Sequence, residues 1–418
     1  MMHQLSAPAY TIKTTIQLAG SKSISNRLLI LNEVLGLNLI LENNSTSEDT
    51  LLLQNALEQI TNRKGGTIDI HHAGTDMRFL TALLATKEGE WILTGSERMK
   101  QRPIGELVNA LRSLGADINY LEKENFPPLK INGKKLKGGQ LEIDGSISSQ
   151  FTSALLLISP TFENGLELTL KNEIVSWPYI LMTLDLLSQF GLKVSTVLNT
   201  INVLSTLNKK QETGNRKFFV ESDWSAASYW YSIVALSKNA EITLVGLTNS
   251  SSQGDSVLPK IYKGLGVSSQ FTNEGLLLSK NKNVSPQFEY DFTDCPDLAQ
   301  TVAVTCFALG IKANLTGLKT LKIKETDRIL ALKTELEKFS ANVEITEDSL
   351  TIHETRNKIP ETRSPINTYN DHRMAMSFAP LSLVYGPLNI KNPEVVSKSY
   401  PLFWEDLKSV GFSVNLLP

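Results

Sequence analysis

The chain is expected to be an α/β protein of two similar domains, each built from three repeated units. Three observations lead there. Its 418 residues exceed what one ordinary hydrophobic core accommodates, so two large domains or a repeat array are expected. A pattern recurs in which a helical stretch ends on an apolar residue, then usually Gly, then a short strand-like run. Its turn positions, Gly115, Gly191, Gly266, Ser340 and Gly411, lie about 70–76 residues apart, well beyond the usual solenoid periods.

The copies read Leu111–Ile118, Leu187–Val194, Tyr262–Ser269, Leu336–Val343 and Leu407–Val414, with a less clean first copy around Leu57–Ile70. Glycine suits the residue after a helix, where positive φ costs least without a β-carbon. The alternation that follows, as in Ala116 to Tyr120, suits a strand with one buried face. Six units of about 70 residues nearly fill the chain, and three per domain give two similar α/β domains with a cleft between them. The alternative is that helix–Gly–strand is simply common in α/β proteins, with no true repeat.

Hydrophobic residues make up 41% and charged residues 20%, a soluble globular balance. A net charge of −2 gives no general attraction to nucleic acid or to an acidic membrane surface. Any polyanion must therefore be held by locally gathered cations. Two cysteines, Cys295 and Cys306, point to a reducing compartment and not to a disulfide framework. Neither a signal peptide nor an apolar run of about 18 residues is read, so a cytoplasmic location is expected.

Several loops that open helices carry anion-binding chemistry. The first, Ala19 to Arg27, offers backbone N–H groups, hydroxyls, Lys22 and Arg27 after a strand over Thr14–Leu18. It lacks the Walker A spacing. In the second, His72 to Phe79, Gly74 permits close backbone approach, Thr75 is a plausible N-cap, and Asp76 suits the helix dipole but would repel an anion. Arg102 stands before Pro103, and Gly145 to Phe151 presents three hydroxyls and Gln150. A helix is expected from Lys322 to Phe339, with Lys324, Glu325 and Arg328 in one turn, a carboxylate among cations. His372 and Arg373 open a further apolar helix, and Lys398 precedes the last one. Each loop alone reads equally as ordinary helix capping or surface charge. Together they fit two polyanionic substrates.

In this combination and order, GSKSISNR, QRPIGELVNALRSLGA, DGSISSQF, KETDR and YNDHRMAM closely resemble the EPSP synthase family of enolpyruvyl transferases, over essentially the whole chain. The resemblance implies a two-domain inside-out α/β barrel with three βαβαββ-like repeats per domain. It places residues 1–17 and 223–418 in one domain and 18–222 in the other. It also implies transfer of the enolpyruvyl group of phosphoenolpyruvate to the 5-hydroxyl of shikimate 3-phosphate, a step towards chorismate and the aromatic amino acids. No metal, cofactor, nucleic acid or membrane is expected to be involved, and a monomer is expected.

By the same resemblance, Lys22 touches both ligands. Ser23, Arg27, Ser148, Ser149, Ser176, Thr320 and Lys324 hold shikimate 3-phosphate, with Gln150 between the substrates. Gly74, Arg102, Arg328, Arg373 and Lys398 match the phosphoenolpyruvate site. Asp297 matches the base for the attacking hydroxyl, and Glu325 a proton-transfer residue near the phosphoenolpyruvate methylene, with His372 in support. Glyphosate competes for the phosphoenolpyruvate site in sensitive members, and a glycine matching Gly74 gives it room. The chain departs from the family pattern in having Thr320 where many members carry asparagine, His72, Asp76 and Phe79 in place of Asn, Ala and Pro, and Trp177 in place of a basic residue. The nearest rival is the UDP-N-acetylglucosamine enolpyruvyl transferase family, which shares the fold and uses a loop cysteine. A non-catalytic anion-binding protein on the same scaffold is the other.

Overall fold

A computed structural model of the chain describes residues 1–205, 215–353 and 364–417. The chain divides into two compact units, Met1–Ser21 with Glu221–Pro418, and Lys22–Val220. The segments that enter and leave the second unit lie side by side in the first. Gly20 bridges to Ser222, and Ser21 N–H donates to Glu221 O at 2.8 Å.

Among the described residues the first unit contains three sheets. Ile12–Gln17 runs parallel to Ala240–Val245, which pairs antiparallel with Gly275–Val284, and that with Leu265–Thr272. Gln287–Asp291, Lys312–Thr316, Leu350–Ile352 and Val343–Ile345 repeat this order and sense. The third sheet uses both chain ends. Ile366 bridges in parallel to Leu388–Lys391, which pairs with Met2–Ser6, and that with Ser413–Leu417.

In the second unit the same arrangement appears in Gly65–Asp69, Gly89–Thr94, Leu129–Gly133 and Asp117–Tyr120. It appears again in Gly139–Asp144, Leu166–Lys171, Thr200–Val203 and Val194–Val197. The sixth sheet is a single parallel pair, Asn215–Phe219 with Asn38–Glu42.

Helices fill the middle of each unit and the sheets cover them. The second unit carries α1 (Lys22–Leu35), α2 (Glu48–Asn62), α3 (Gly74–Thr86), α4 (Gly105–Ser113), α5 (Ser149–Ile158) and α6 (Trp177–Gln189). The first carries α7 (Trp224–Leu236), α8 (Leu258–Lys263), α9 (Ala299–Leu309), α10 (Arg328–Glu337), α11 (His372–Phe378), α12 (Ser382–Tyr385) and α13 (Phe403–Ser409). Eleven residues of α3 and twelve of α7 are buried, so these helices are enclosed nearly all round. Strands such as Leu166–Lys171 alternate buried and exposed positions, laying one face on the helices. Where α7, α9 and α11 meet, small hydroxyl residues satisfy one another. Ser228 pairs with Thr301 at 3.3 Å, Thr301 with Ser377 at 3.0 Å, and Thr305 donates to Ser232 at 2.8 Å.

The five turn positions all take positive φ, although Gly266 lies inside the strand Leu265–Thr272 and not directly after a helix. Gly115, Gly191, Gly266, Ser340 and Gly411 have φ of 98°, 76°, 82°, 63° and 94°. Ser340 shows that a side chain is tolerated there at a cost. The stretch Leu57–Ile70 is not a copy of this turn. Helix α2 ends on an extended Arg63, and Gly65–Asp69 then opens a parallel pair, not an antiparallel hairpin.

Candidate functional site

In the second unit side chains from the first two turns of four helices meet. Asn26 of α1 donates to Asp76 of α3 at 2.8 Å, and Gln150 of α5 donates to Thr75 at 3.1 Å. Arg27 of α1 donates through Nε to Thr183 of α6 at 2.8 Å, and through Nη2 to Ser153 of α5 at 3.1 Å and the Tyr179 carbonyl at 3.2 Å. Four helix N-termini brought together concentrate positive dipole ends and free N–H groups, the elementary requirement for binding anions.

Each expected residue of this unit can be placed. Lys22 opens α1 and pairs with Asp49 Oδ2 at 2.8 Å. Ser23 is half-buried, and its carbonyl accepts from Arg27 Nη1 at 2.8 Å. Four of the five N–H groups of Arg27 are thus committed to protein, its guanidinium lies over Phe79, and burial lowers its pKa to about 10. Ser148 caps α5, accepting from Gln150 N–H at 3.3 Å, and Ser149 is buried beside it. Ser176 precedes α6 at φ 55°, ψ 39°, and its hydroxyl does not cap the helix. A serine held left-handed with its hydroxyl released from capping is the kind of strain found at binding sites.

Arg102 is the most informative residue here. It is 7% exposed, its Nε lies buried without a hydrogen-bond partner, and among the described residues it faces no carboxylate. Its guanidinium packs directly on the α-carbon side of Gly74, where an added β-carbon would fall 2.3 Å from Nη1. A buried cation left uncompensated by protein calls for an anion from outside.

The first unit presents a network of charges. Asp297 accepts from Arg328 Nη1 at 3.0 Å and Arg373 Nη2 at 2.9 Å, with Lys324 Nζ at 3.7 Å. Burial pushes its pKa up, but Arg373, Lys324 and Arg328 together hold the carboxyl well below the usual carboxylate range. Glu325 accepts from Lys398 at 2.7 Å and Arg328 at 2.9 Å. Asp371 accepts from Arg328 Nε at 2.7 Å and caps α11 through Arg373 N–H at 2.9 Å. Burial works against the charge of Arg328, yet Asp371, Glu325 and Asp297 raise its pKa above the ordinary value. His372 is buried, with Nδ1 3.9 Å from Asp371. Thr320 lies on a 3₁₀ turn, Lys319–Ile323, with its hydroxyl buried and lacking a partner among the described residues.

Two local expectations are corrected. Thr75 is not the cap of α3. The helix begins at Gly74 after Ala73, so Thr75 lies within the first turn and its hydroxyl meets Gln150. The helix expected over Lys322–Phe339 is broken. Asp327 takes extended backbone and caps α10 by accepting from Leu330 N–H at 3.1 Å, which leaves Glu325 in a loop. Outside the helix, Glu325 can reach both Arg328 and Lys398. Asp49 and Asp371 were not singled out from the sequence. Each is an acidic residue at a helix start, a signal dominated by ordinary capping. Cys295 and Cys306 are both buried, and burial pushes both thiols well above their ordinary pKa, so neither offers a ready thiolate.

The sequence profile of EPSP synthase (3-phosphoshikimate 1-carboxyvinyltransferase) matches residues 58–407. A 3-phosphoshikimate 1-carboxyvinyltransferase of Bacteroides fragilis strain YCH46 is 47% identical over 416 residues, covering 100% of this chain and 99% of that protein. One from Buchnera aphidicola subsp. Cinara cedri is 37% identical, covering 98% and 97%. The solved EPSP synthase of Acinetobacter baumannii shares the fold with a TM-score of 0.75 at 22% identity, with both chains fully covered. No helix among the described residues is long and apolar enough to cross a membrane.

Proposed function

The chain belongs to the EPSP synthase family, and from that premise we infer that it transfers the enolpyruvyl group of phosphoenolpyruvate to the 5-hydroxyl of shikimate 3-phosphate. The observation that carries this reading furthest is the shared arginine. Arg328 is bonded at once to Asp297, Glu325 and Asp371, which sets two candidate proton-transfer carboxylates around one buried cation.

In the reaction the 5-hydroxyl oxygen bonds to C2 of phosphoenolpyruvate while C3 gains a proton. The tetrahedral intermediate then loses a C3 proton, and its C2–O bond to phosphate breaks. Asp297 takes the hydroxyl proton in this reading, and Glu325 with Lys22 handles the proton at C3. A carboxylate held by three cations is a weak base, so Asp297 must be released. Anionic ligand groups competing for Arg328, Arg373 and Lys324 raise its proton affinity when substrate is present. Arg328, Arg373, Lys398 and Arg102 hold phosphoenolpyruvate and stabilise the departing phosphate. Ser23, Arg27, Ser148, Ser149, Ser176, Thr320 and Lys324 hold shikimate 3-phosphate, Gln150 lies between the substrates, and His372 supports the proton-transfer network.

Phosphate release on mixing both substrates tests the reading, with no release from either alone. If phosphate appears only when UDP-N-acetylglucosamine replaces shikimate 3-phosphate, the rival acceptor is correct. The same reading carries a cytoplasmic monomer, checked by fractionation and sedimentation.

A further inference from the structure

The turn that delivers Asp371 and Arg373 is strained. Tyr369 and Asn370, neither a glycine, have φ of 54° and 56° in succession. Left-handed backbone at two adjacent side-chain-bearing residues persists only where the surroundings impose it. Helix α10 imposes it from both sides of the turn. At its first residue, Arg328 donates to Asp371 at 2.7 Å. Near its end, Glu335 accepts from Tyr369 Oη at 2.7 Å and Asn367 N–H at 3.1 Å. Residues seven apart lie on one face of a helix, about 10 Å along its axis, so α10 spans the turn like a ruler.

Glu335 is itself fixed. It is fully buried, and Lys338 donates to its Oε2 while also donating to the Pro365 carbonyl at 2.9 Å. The segment before the turn is further held by Ile366, whose N–H donates to Asn389 O at 2.8 Å. A fully buried carboxylate spent on a loop tyrosine and a loop N–H, one helix face from the charge network, is more than packing requires.

We propose that Glu335 is a positioning residue for the reaction, setting the 369–371 turn and thereby the guanidinium of Arg373 and the carboxylate that orients Arg328. The inference rests on the enolpyruvyl-transfer reading above, in which both arginines hold phosphoenolpyruvate. Glu335 touches no substrate. It acts through Tyr369 and Asp371.

The test is steady-state phosphate release by Tyr369→Phe, which keeps the ring and removes only the hydroxyl, and by Glu335→Gln. Losing a hydrogen bond to a charged acceptor should raise KM for phosphoenolpyruvate by about 5–20-fold in Tyr369→Phe, with KM for shikimate 3-phosphate within about twofold. A general loss of packing would instead lower the active fraction and the melting temperature and leave both KM values alone. The double variant should cost less than the sum of the two single variants, because both act on one contact. A folded Tyr369→Phe with both KM values unchanged overturns the proposal, even if Glu335→Gln does not fold. Wild-type protein is the internal reference. Its failure to release phosphate refutes the functional reading, whereas an active wild type with an indifferent Tyr369→Phe refutes only the role of Glu335.

Discussion

Replacing Gly74 with alanine probes the meeting of α3 and Arg102. The new β-carbon would lie 2.3 Å from Nη1, 2.8 Å from Cζ and 2.9 Å from Nη2 of Arg102. Unstrained contact needs about 3.5 Å, so the guanidinium must retreat by roughly 1 Å. The fold should tolerate this. The contact is with the far end of the flexible Arg102 side chain, and Gly74 does not take the positive φ that would strain an alanine. The ligand should not. A hydrogen bond to a charged group contributes about 1.5–3 kcal/mol, so complete loss would cost roughly 10–150-fold. A displaced arginine keeps part of its reach, and KM for phosphoenolpyruvate should rise about 3–10-fold. Wild type is expected to be sensitive to glyphosate. The inhibition constant should rise more than KM in the variant, because the longer inhibitor needs the space the methyl group fills. The assay is phosphate release at saturating shikimate 3-phosphate, with phosphoenolpyruvate and glyphosate varied and the melting temperature measured in parallel. A well-folded variant with unchanged KM for phosphoenolpyruvate, or with KM for shikimate 3-phosphate raised instead, would refute the assignment of Arg102.

Three further outcomes are expected. Asp76 is fully buried and accepts from Asn26, so Asp76→Ala should cost about 1–3 kcal/mol of stability while shifting glyphosate inhibition by less than about threefold. A large gain in inhibitor affinity at unchanged stability would mean that the carboxylate acts on the ligand. Asp297→Asn should lower kcat by about 10²–10⁴-fold with a much smaller change in substrate affinity, and near-normal turnover would remove it as the base. Asp255 is buried and bonded to Ser225, and burial, then the charge of Asp297, pushes its pKa up to about 7. A carboxyl raised on folding contributes stability that is full below about pH 4 and is lost as pH rises through 7. The melting temperature of Asp255→Asn relative to wild type should therefore climb between about pH 4 and pH 8, as followed by calorimetry across that range. A flat difference would show that Asp255 ionises freely.

The repeat was legible in the sequence because its signal is local. A turn that needs positive φ selects glycine, and five such positions recur at nearly even spacing. Even Ser340, which lacks the glycine, keeps a positive φ. The sheet closed by Met2–Ser6, and the unit reduced to one parallel pair, were not legible. Both depend on strands distant in sequence, and no local pattern names a strand's partner.

The residues proposed for the site come from residue type, motif and the family resemblance, since small and basic residues opening helices favour anion binding. Their relations were not. Helix capping by Asp327 took Glu325 out of the helix the sequence suggested and into reach of two cations. Asp371 looked like part of a motif, yet it orients Arg328 from 43 residues away. Nothing in the order of residues distinguishes Arg27, with most of its donors committed to protein, from Arg102, whose buried Nε has no partner among the described residues. Sequence alone determined which charges are present and which loops carry them. Only the tertiary structure decided which charges compensate one another, because compensation depends on distance and burial, and both are set by packing between segments far apart in the chain.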